Sequence, residues 1–325
     1  MNNKKDLIVT LADANFIDQA KQLFSSVYFK AGWQGDYLLI THNLSSQDKA
    51  WFESRGIIVY DPPLLSDESF SEKSYPPVLF SKFYLFTSYF KKWRKIVFLD
   101  ADIIVQSSLD YLLQFDKISA TKAITLRLKD EFSKQKKLSH DFKRTYNLKS
   151  TAFGTGVFVL DTDLIKEDTF TSIMTLHNQF KDICQYGEES ILNLYFYKKW
   201  HKLPIIFNAA PWYLEKFYGL KTNKFTAVII HFNCYLIKPW NKESSYYKEW
   251  LDNLLLADKI DTSRPVHAAY QLSPVYLRRY LRLLKFKRFV CWLKLDHQIG
   301  ELGLLIERKM PSLYKVINIR KNDFI

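Results

Sequence analysis

Cysteine is scarce in this chain. Its three copies, Cys184, Cys234 and Cys291, lie far apart among 325 residues and form no CxxC pair. Three cannot all pair internally, which argues against a disulfide framework and suits a reducing cytosol. Glycine is also sparse, with nine copies, and nothing in the composition points to collagen, low complexity or global disorder. Long apolar runs are missing too. The first one is cut by Asp13 after a few residues, too short for a secretory signal, and none approaches the roughly 18 residues of a membrane span. No internal repeat is visible. The expected location is cytoplasmic, either soluble or peripheral at the inner face of the cytoplasmic membrane.

What is plentiful is aromatic and basic side chains. Phe, Tyr and Trp make up 16% of the chain, and the formal charge is +13. Such a charge invites a polyanion, nucleic acid or an anionic membrane surface. Residues 271–325 hold twelve Lys or Arg against four Asp or Glu, so +8 of the +13 belongs to the end of the chain. Nucleic acid is the poorer partner, because there is no Cys/His finger, recognisable recognition-helix module or RNP-like aromatic strand. Residues 276–294 carry seven basic residues, no acid, and Leu277, Leu281, Leu284 and Val290 or Cys291 at helical spacing. Two readings stay open: an interfacial helix on anionic lipid, or a helix packed on its own domain with a solvated basic face.

Short β-rich runs recur along the chain with helix-like segments between them. They are Leu7 to Ala12, Tyr37 to Thr41, Ile57 to Tyr60, Ile96 to Val105, Ala123 to Leu126, Val157 to Leu160, Ile205 to Phe207 and Val228 to Phe232. Alternation of this kind predicts an α/β fold with a mostly parallel central sheet flanked by helices. Ligands of such folds gather at the carboxyl ends of the strands. The strand pattern stops near residue 255, which divides the chain into a domain of residues 1–255 and a basic helical C-terminal segment, 256–325. Residues 61–77 and 129–150 read as long loops, either mobile and facing a substrate or plain solvated connections.

The apolar run from Lys95 to Val105 delivers Asp100 and Asp102 two residues apart. Side chains at i and i+2 of a strand share a face, so the pair can grip one divalent cation. Asp-x-Asp is also common in solvated turns. Three other places add to it. Asp13, Asn15 and Phe16 follow the first strand and can hydrogen-bond and stack on a pyrimidine, or simply cap the next helix. His231 ends an apolar strand ahead of Lys238-Pro239-Trp240 and can join two carboxylates on a borderline cation such as Mn²⁺, or be a structural histidine. Glu188 and Glu189 open a helix-like segment, where acids also suit the helix dipole.

In this order the four resemble glycosyltransferase family 8, the retaining enzymes that include glycogenin and the bacterial lipooligosaccharide galactosyltransferases. The resemblance runs from about residue 7 to 242. It rests on Leu-Ala-Asp-Ala-Asn-Phe (11–16), Lys82, Phe-Leu-Asp-Ala-Asp (98–102), Phe153-Gly154-Thr155-Gly156-Val157, Glu188-Glu189 and His231 leading to Lys-Pro-Trp. It implies a GT-A type nucleotide-diphospho-sugar transferase fold with a C-terminal helical appendage. It further implies that Leu11, Asp13, Asn15 and Phe16 hold the uracil end of a UDP-sugar, with Ala101 at the ribose. Asp100, Asp102 and His231 would ligate Mn²⁺, with Mg²⁺ as the alternative, while Lys238 and Lys82 would meet phosphate or the donor sugar. Glu188 and Glu189 would lie beside the transferred sugar. Three places depart from the family pattern: Gly154 replaces an asparagine, His231 and Lys238 stand seven apart instead of six, and Glu188-Glu189 replaces Asp-Gln.

The function so implied is retaining, metal-dependent transfer of a hexose, glucose or galactose, from a UDP-sugar to a cell-envelope glycan, glycolipid or glycoprotein. Retention arises either from same-face attack by the acceptor or from double displacement through a carboxylate, for which Glu189 is the candidate. The alternative is a catalytically weak sugar-nucleotide-binding or scaffold protein of the same fold.

Overall fold

The first strand, β1 (Leu7–Leu11), is buried along its whole length, as a strand covered on both faces must be. The computed structural model describes residues 4–65, 76–123, 127–134, 137–223, 225–234 and 236–292. Within them β1 is followed by β2 (Asp36–Ile40), β3 (Ile57–Tyr60), β4 (Lys95–Leu99), β5 (Ile103–Val105), β6 (Ile118–Lys122), β7 (Phe153–Asp161), β8 (Trp200–Lys202) and β9 (Ile229–His231). The helices are α1 (Ile17–Ser26), α2 (Ser46–Glu53), α3 (His140–Thr145), α4 (Thr169–Phe180), α5 (Glu188–Tyr195), α6 (Pro211–Tyr218), α7 (Tyr247–Leu256) and α8 (Pro274–Trp292). Short 3-10 turns join them, and the longest, Pro77–Phe86, carries Lys82.

Among the described residues the main sheet runs β3-β2-β1-β4-β7-β6-β8. The pairs β3–β2, β2–β1, β1–β4 and β6–β8 are parallel, whereas β7 runs against both β4 and β6. This is the mostly parallel α/β sheet that the sequence predicts, with one strand reversed in its middle. A separate two-stranded ladder pairs β5 with β9.

Three strand boundaries differ from the sequence reading. The run from Ile96 to Val105 is two strands, broken where Asp100 and Asp102 turn the chain. The strand expected at 123–126 lies earlier, at 118–122, and residues 124–126 fall outside the described set. Residues 205–207 form one 3-10 turn after Pro204, closed by the Phe207 N–H on the Pro204 carbonyl. Three apolar residues are too few for periodicity to separate strand from helix. Within the long connection at 129–150, Ser139 caps α3 by accepting from the Phe142 N–H.

Phenylalanine fills the core on one side of the sheet. Phe80, Phe83, Phe86 and Phe90 from the segment before β4 pack with Phe98, Phe153, Phe158 and the apolar residues of α5. Phe98 and Phe158 stack across the β4–β7 pair, centroids 5.1 Å apart. At about 25 cal/mol per Å² of apolar surface, each such ring contributes roughly 2–3 kcal/mol.

The chain divides into two compact units, Met1–Ala210 with Asn223–Gln271, and Pro211–Thr222 with Leu272–Ile325. This division differs from a boundary after residue 255. After α7 and the 3-10 turn Ala257–Lys259, residues 260–271 have no helix or strand, yet they clasp the chain that follows α1. Tyr28 Oη donates to the carbonyls of Asp261 and Arg264, Gln34 Nε2 donates to the Val266 carbonyl, and the Ala269 N–H donates to the Lys30 carbonyl. Gly32, with φ of +62°, sits so close beneath this strap that an added Cβ would lie 2.4 Å from the Ala268 nitrogen. In the second unit α6 packs on α8, whose buried stripe is Leu277, Tyr280 and Leu284. Nothing further is described for residues 293–325 or for the side chain of Cys291.

Phe98→Ala should destabilise the first unit by about 3–5 kcal/mol, the usual result of emptying a phenylalanine site in a rigid core. Urea unfolding followed by tryptophan fluorescence reads this as a lower midpoint with an unchanged slope.

Candidate functional site

Register brings the expected residues to one edge of the sheet. β1 and β4 are parallel neighbours with Val9 opposite Phe98, so Asp13 and Asp100 both emerge beyond the same strand ends. β7 runs against β4, and the Asp100 N–H donates to the Gly156 carbonyl, which sets the start of β7 beside the first carboxylate. In the small ladder Ile103 faces His231, and the Phe232 N–H donates to the Asp102 carbonyl. The imidazole therefore arrives next to the second carboxylate from a point 129 residues later in the chain, 231 minus 102.

Ligand atoms of Asp100, Asp102 and His231 all lie within 4.8 Å of one another. His231 Nε2 is 3.1 Å from Asp102 Oδ1 and 3.7 Å from Asp100 Oδ2. The other ring nitrogen, Nδ1, is 2.8 Å from Asn208 Oδ1, while Asn208 Nδ2 donates to Thr121 Oγ1. The amide's orientation thus makes its oxygen the acceptor and places the histidine proton on Nδ1. Nε2 is left to share a cation, or a proton, with the carboxylates. Two carboxylates and an oriented imidazole are a fitting donor set for a borderline divalent cation, and Asn208 is the outer partner that fixes such a ligand. Burial opposes the charge on Asp102, but His231 and Lys238 outweigh it and hold the carboxyl well below the usual carboxylate range.

Gly156 makes room for this cluster. A Cβ there would lie 2.3 Å from His231 Cε1 and 2.7 Å from Asp100 Oδ2, closer than any side chain tolerates. Its neighbour Gly154 is different, since a Cβ would meet only ordinary contacts at 3.7 Å, with Ala123 Cα and Glu189 Oε2. The first glycine is a steric necessity and the second is a free choice.

The two lysines are both engaged. Lys82 Nζ is buried, 3.0 Å from Asp100 Oδ1 and 2.7 Å from Glu188 Oε1, and lies over the Phe98 ring. Burial works against its charge, but Asp100 and Glu188 outweigh that and raise its pKa. With its ammonium taken up by two carboxylates, Lys82 is placed as a strut between them instead of on an open phosphate-facing surface. Lys238 Nζ donates to Asp102 Oδ2 and to the Phe232 carbonyl, both at 2.7 Å, and is a third exposed. The seven-residue spacing therefore still returns it to the metal carboxylate. Tyr235 lies outside the described residues.

Glu188 and Glu189 open α5 after Gly187, whose φ of +55° and ψ of −125° suit only glycine. Glu189 Oε2 accepts from the Thr155 N–H at 2.9 Å and from Thr155 Oγ1 at 3.3 Å, and the same hydroxyl reaches Glu188 Oε1 at 3.1 Å. Burial pushes the Glu189 carboxyl up to about 7, against the Thr155 N–H and with the help of the Glu188 charge. Asn193, one turn further along α5, exchanges two hydrogen bonds with the Phe153 backbone and so pins the helix to β7. Thr155, Asn193 and Asn208 are single polar residues without a spacing signal. Only the adjacency of Thr155 to the two glycines could have drawn attention to it.

At the β1 end, Asp13 caps the turn Ala14–Phe16 by accepting from the Asn15 N–H at 2.9 Å. The capping reading holds, and it orients the exposed Asn15 and Phe16. The Phe16 ring is 43% exposed and meets Trp240 edge-on at 6.1 Å. Leu11 and Ala101 are nearly buried, so backbone is what they mainly offer a ligand. Asn15 and Trp240 also line an open cleft of about 440 Å³ with Asp18, Lys21 and Asp48.

Residues 10–244 match the family model described as glycosyl transferase family 8. Glycosyltransferase GlyB of Streptococcus pneumoniae is 28% identical over 205 residues, 56% of this chain and 45% of that protein. The UDP-glucuronate:xylan alpha-glucuronosyltransferase 2 of Arabidopsis thaliana is 26% identical over 251 residues, 77% of this chain and 30% of that one. The match thus spans less than half the length of these two relatives. Among solved structures, an active-site mutant of LgtC superposes with a TM-score of 0.59 at 17% identity, covering 76% of this chain and 94% of that one. The galactosyltransferase LgtC with donor and acceptor sugar analogues gives 0.57 at 16%, covering 84% and 99%. At these identities the likeness is one of fold, and it is the GT-A type.

Two tests follow from the geometry. Gly156→Ala should weaken Mn²⁺ binding by at least about tenfold, because any relief of the clash moves His231 or Asp100; titration followed by electron paramagnetic resonance measures it. Glu189 binds its proton more tightly folded than unfolded, so the stability it adds is full below pH 4.5 and lost as pH rises through about 7. Glu189→Gln should therefore raise the unfolding free energy at pH 8, by an amount on the order of 3 kcal/mol seen as a higher melting temperature, and leave it unchanged at pH 4. Scanning calorimetry across that range decides it.

Proposed function

The chain belongs to glycosyl transferase family 8, and from that premise we propose that it moves a hexose, glucose or galactose, from a UDP-sugar to a glycan, glycolipid or glycoprotein of the cell envelope, with retention at the anomeric carbon. The observation that carries the reading is the Asp100–Asp102–His231 cluster at the carboxyl edge of the sheet, joined through Lys82 to Glu188. A UDP donor agrees with the donor in the name of the Arabidopsis relative, and a galactosyl group with the LgtC fold neighbour. Mn²⁺ is the proposed metal, with Mg²⁺ as the alternative, since an imidazole beside two carboxylates suits the softer ion.

A cation held by Asp100, Asp102 and His231 would supply positive charge opposite the diphosphate of the leaving UDP. The chain's own groups do the rest. Asp13, Asn15 and Phe16 take the uracil by hydrogen bonds and ring contact, with Leu11 and Ala101 offering backbone to base and ribose. Lys238, partly exposed beside Asp102, is the cation that can swing to the β-phosphate as negative charge grows there. Lys82 holds the Asp100 and Glu188 carboxylates in place. Glu189, aimed by Thr155, faces the anomeric carbon and stabilises the positive charge that develops as the bond to the phosphate oxygen breaks. The acceptor hydroxyl then closes on the same face and gives its proton to the departing phosphate.

The same reading locates the enzyme on the cytoplasmic side, in contact with an anionic membrane surface where such acceptors are built. Among the described residues, no helix is long and apolar enough to cross a membrane.

The deciding assay is Mn²⁺-dependent release of UDP from UDP-glucose, UDP-galactose and their N-acetyl relatives. One donor should turn over, and Asp102→Asn should lower its rate at least about 100-fold, as expected when a group opposing leaving-group charge is lost. Tight binding of every nucleotide sugar with no turnover would assign the chain instead to sugar-nucleotide binding without catalysis.

A further inference from the structure

Three of the four carboxylate oxygens of Asp100 and Asp102 face a basic nitrogen at close range. Lys82 Nζ is 3.0 Å from Asp100 Oδ1, His231 Nε2 is 3.1 Å from Asp102 Oδ1, and Lys238 Nζ is 2.7 Å from Asp102 Oδ2. The two lysines hold their oxygens differently. Lys82 is buried and shared between two carboxylates, so it has nowhere else to go. Lys238 is partly exposed, and its second partner is the uncharged Phe232 carbonyl. Little packing fixes the residues that carry it: Leu236 is wholly exposed and Ile237 is 38% exposed.

We infer that Lys238 is a stand-in for the metal at Asp102, competing with a divalent cation for that carboxylate and giving it up when a nucleoside diphosphate draws the ammonium to its phosphates. Positive charges sharing one carboxylate repel strongly at such range, so a cation that takes Asp102 must first displace the lysine. Only molecules whose Lys238 has left Asp102 are ready for metal, and apparent metal affinity is reduced by the size of that fraction. A diphosphate offers the ammonium charge-assisted hydrogen bonds in exchange for the carboxylate and the neutral carbonyl. It thereby raises metal affinity through the lysine, over and above any oxygen it lends the cation, and by reciprocity the metal raises affinity for the diphosphate. On the metal and donor reading given above, on which this depends, firm metal binding follows the diphosphate instead of preceding it. Without donor, Lys238 keeps Asp102 neutralised by the chain's own charge.

Mn²⁺ titration of the full chain, with the free ion read by electron paramagnetic resonance, tests this without turnover. In the absence of nucleotide, Lys238→Met should bind Mn²⁺ at least about tenfold more tightly than the unaltered protein, the gain expected if the ready state is about a tenth of the population or less. Lys238→Gln should match it, and Lys238→Arg should not. Lys242→Met, which removes an exposed lysine of the same segment, should leave the affinity unchanged, because a solvated charge is screened. UDP should raise Mn²⁺ affinity by a larger factor in the unaltered protein than in Lys238→Met, where the lysine's share of the coupling is gone. Unchanged or weaker Mn²⁺ binding by both neutral variants, an equal gain in Lys242→Met, an equal effect of UDP in Lys238→Met, or no Mn²⁺ binding by any form would each overturn the inference. Tighter Mn²⁺ binding in Lys238→Met with no turnover of any UDP-sugar would remove the transferase reading alone, and turnover with that affinity unmoved would remove the stand-in alone.

Discussion

A single buried ammonium holds the site together. Lys82 Nζ lies between Asp100, at the end of β4, and Glu188, at the start of α5, and it reaches them from the turn Pro77–Phe86. Three stretches separated by up to about a hundred residues of chain are tied at one point. Charges this deep are tolerated only when paired, and removing one member of such a group typically costs about 3–5 kcal/mol because the others are left unsatisfied. The pairing also decides the electrostatic balance. Without Lys82, Asp100, Asp102, Glu188 and Glu189 would crowd one edge of the sheet with too little opposing charge.

The reversal of β7 is what makes the tie possible. In a fully parallel sheet the strand beside β4 would carry its carboxyl end, and a following loop, to this edge. Here its amino end arrives instead, and residues 153–156 become the floor of the site. That floor does three things within four residues. Phe153 anchors α5 through Asn193, Thr155 orients both glutamates, and Gly156 leaves space for the imidazole. Gly154 is the one member with room to spare, and Glu189 borders that room.

Much of this was legible in the sequence, for physical reasons. Strand alternation exposes its period in hydrophobicity, and Asp100 and Asp102 stand out because they interrupt an apolar run. His231 ends a strand, and Glu188 and Glu189 begin a helix, so both sit where strand and helix rules look for function. What periodicity cannot carry stayed hidden. Strand direction has no hydropathy signature, so β7 read like its neighbours. Asn208 and Thr155 matter through contacts across the fold and have no local pattern. Lys82 was visible as a residue, but its saturation by two carboxylates depends on distances that no spacing encodes. Residues 260–271 are held to the chain after α1 by hydrogen bonds on their backbone groups in irregular chain, where neither period nor propensity applies.

That strap around the end of α1 has a consequence for how the protein is made. Tyr28, Lys30, Gly32 and Gln34 find their partners between residues 261 and 269, more than 230 positions later. A chain emerging from the ribosome amino end first can pair β1, β2 and β4 early, but it cannot seat the end of α1 until most of its length has been synthesised. The first unit stays open at that corner through most of translation, and the segment that closes it is the last to appear before α8.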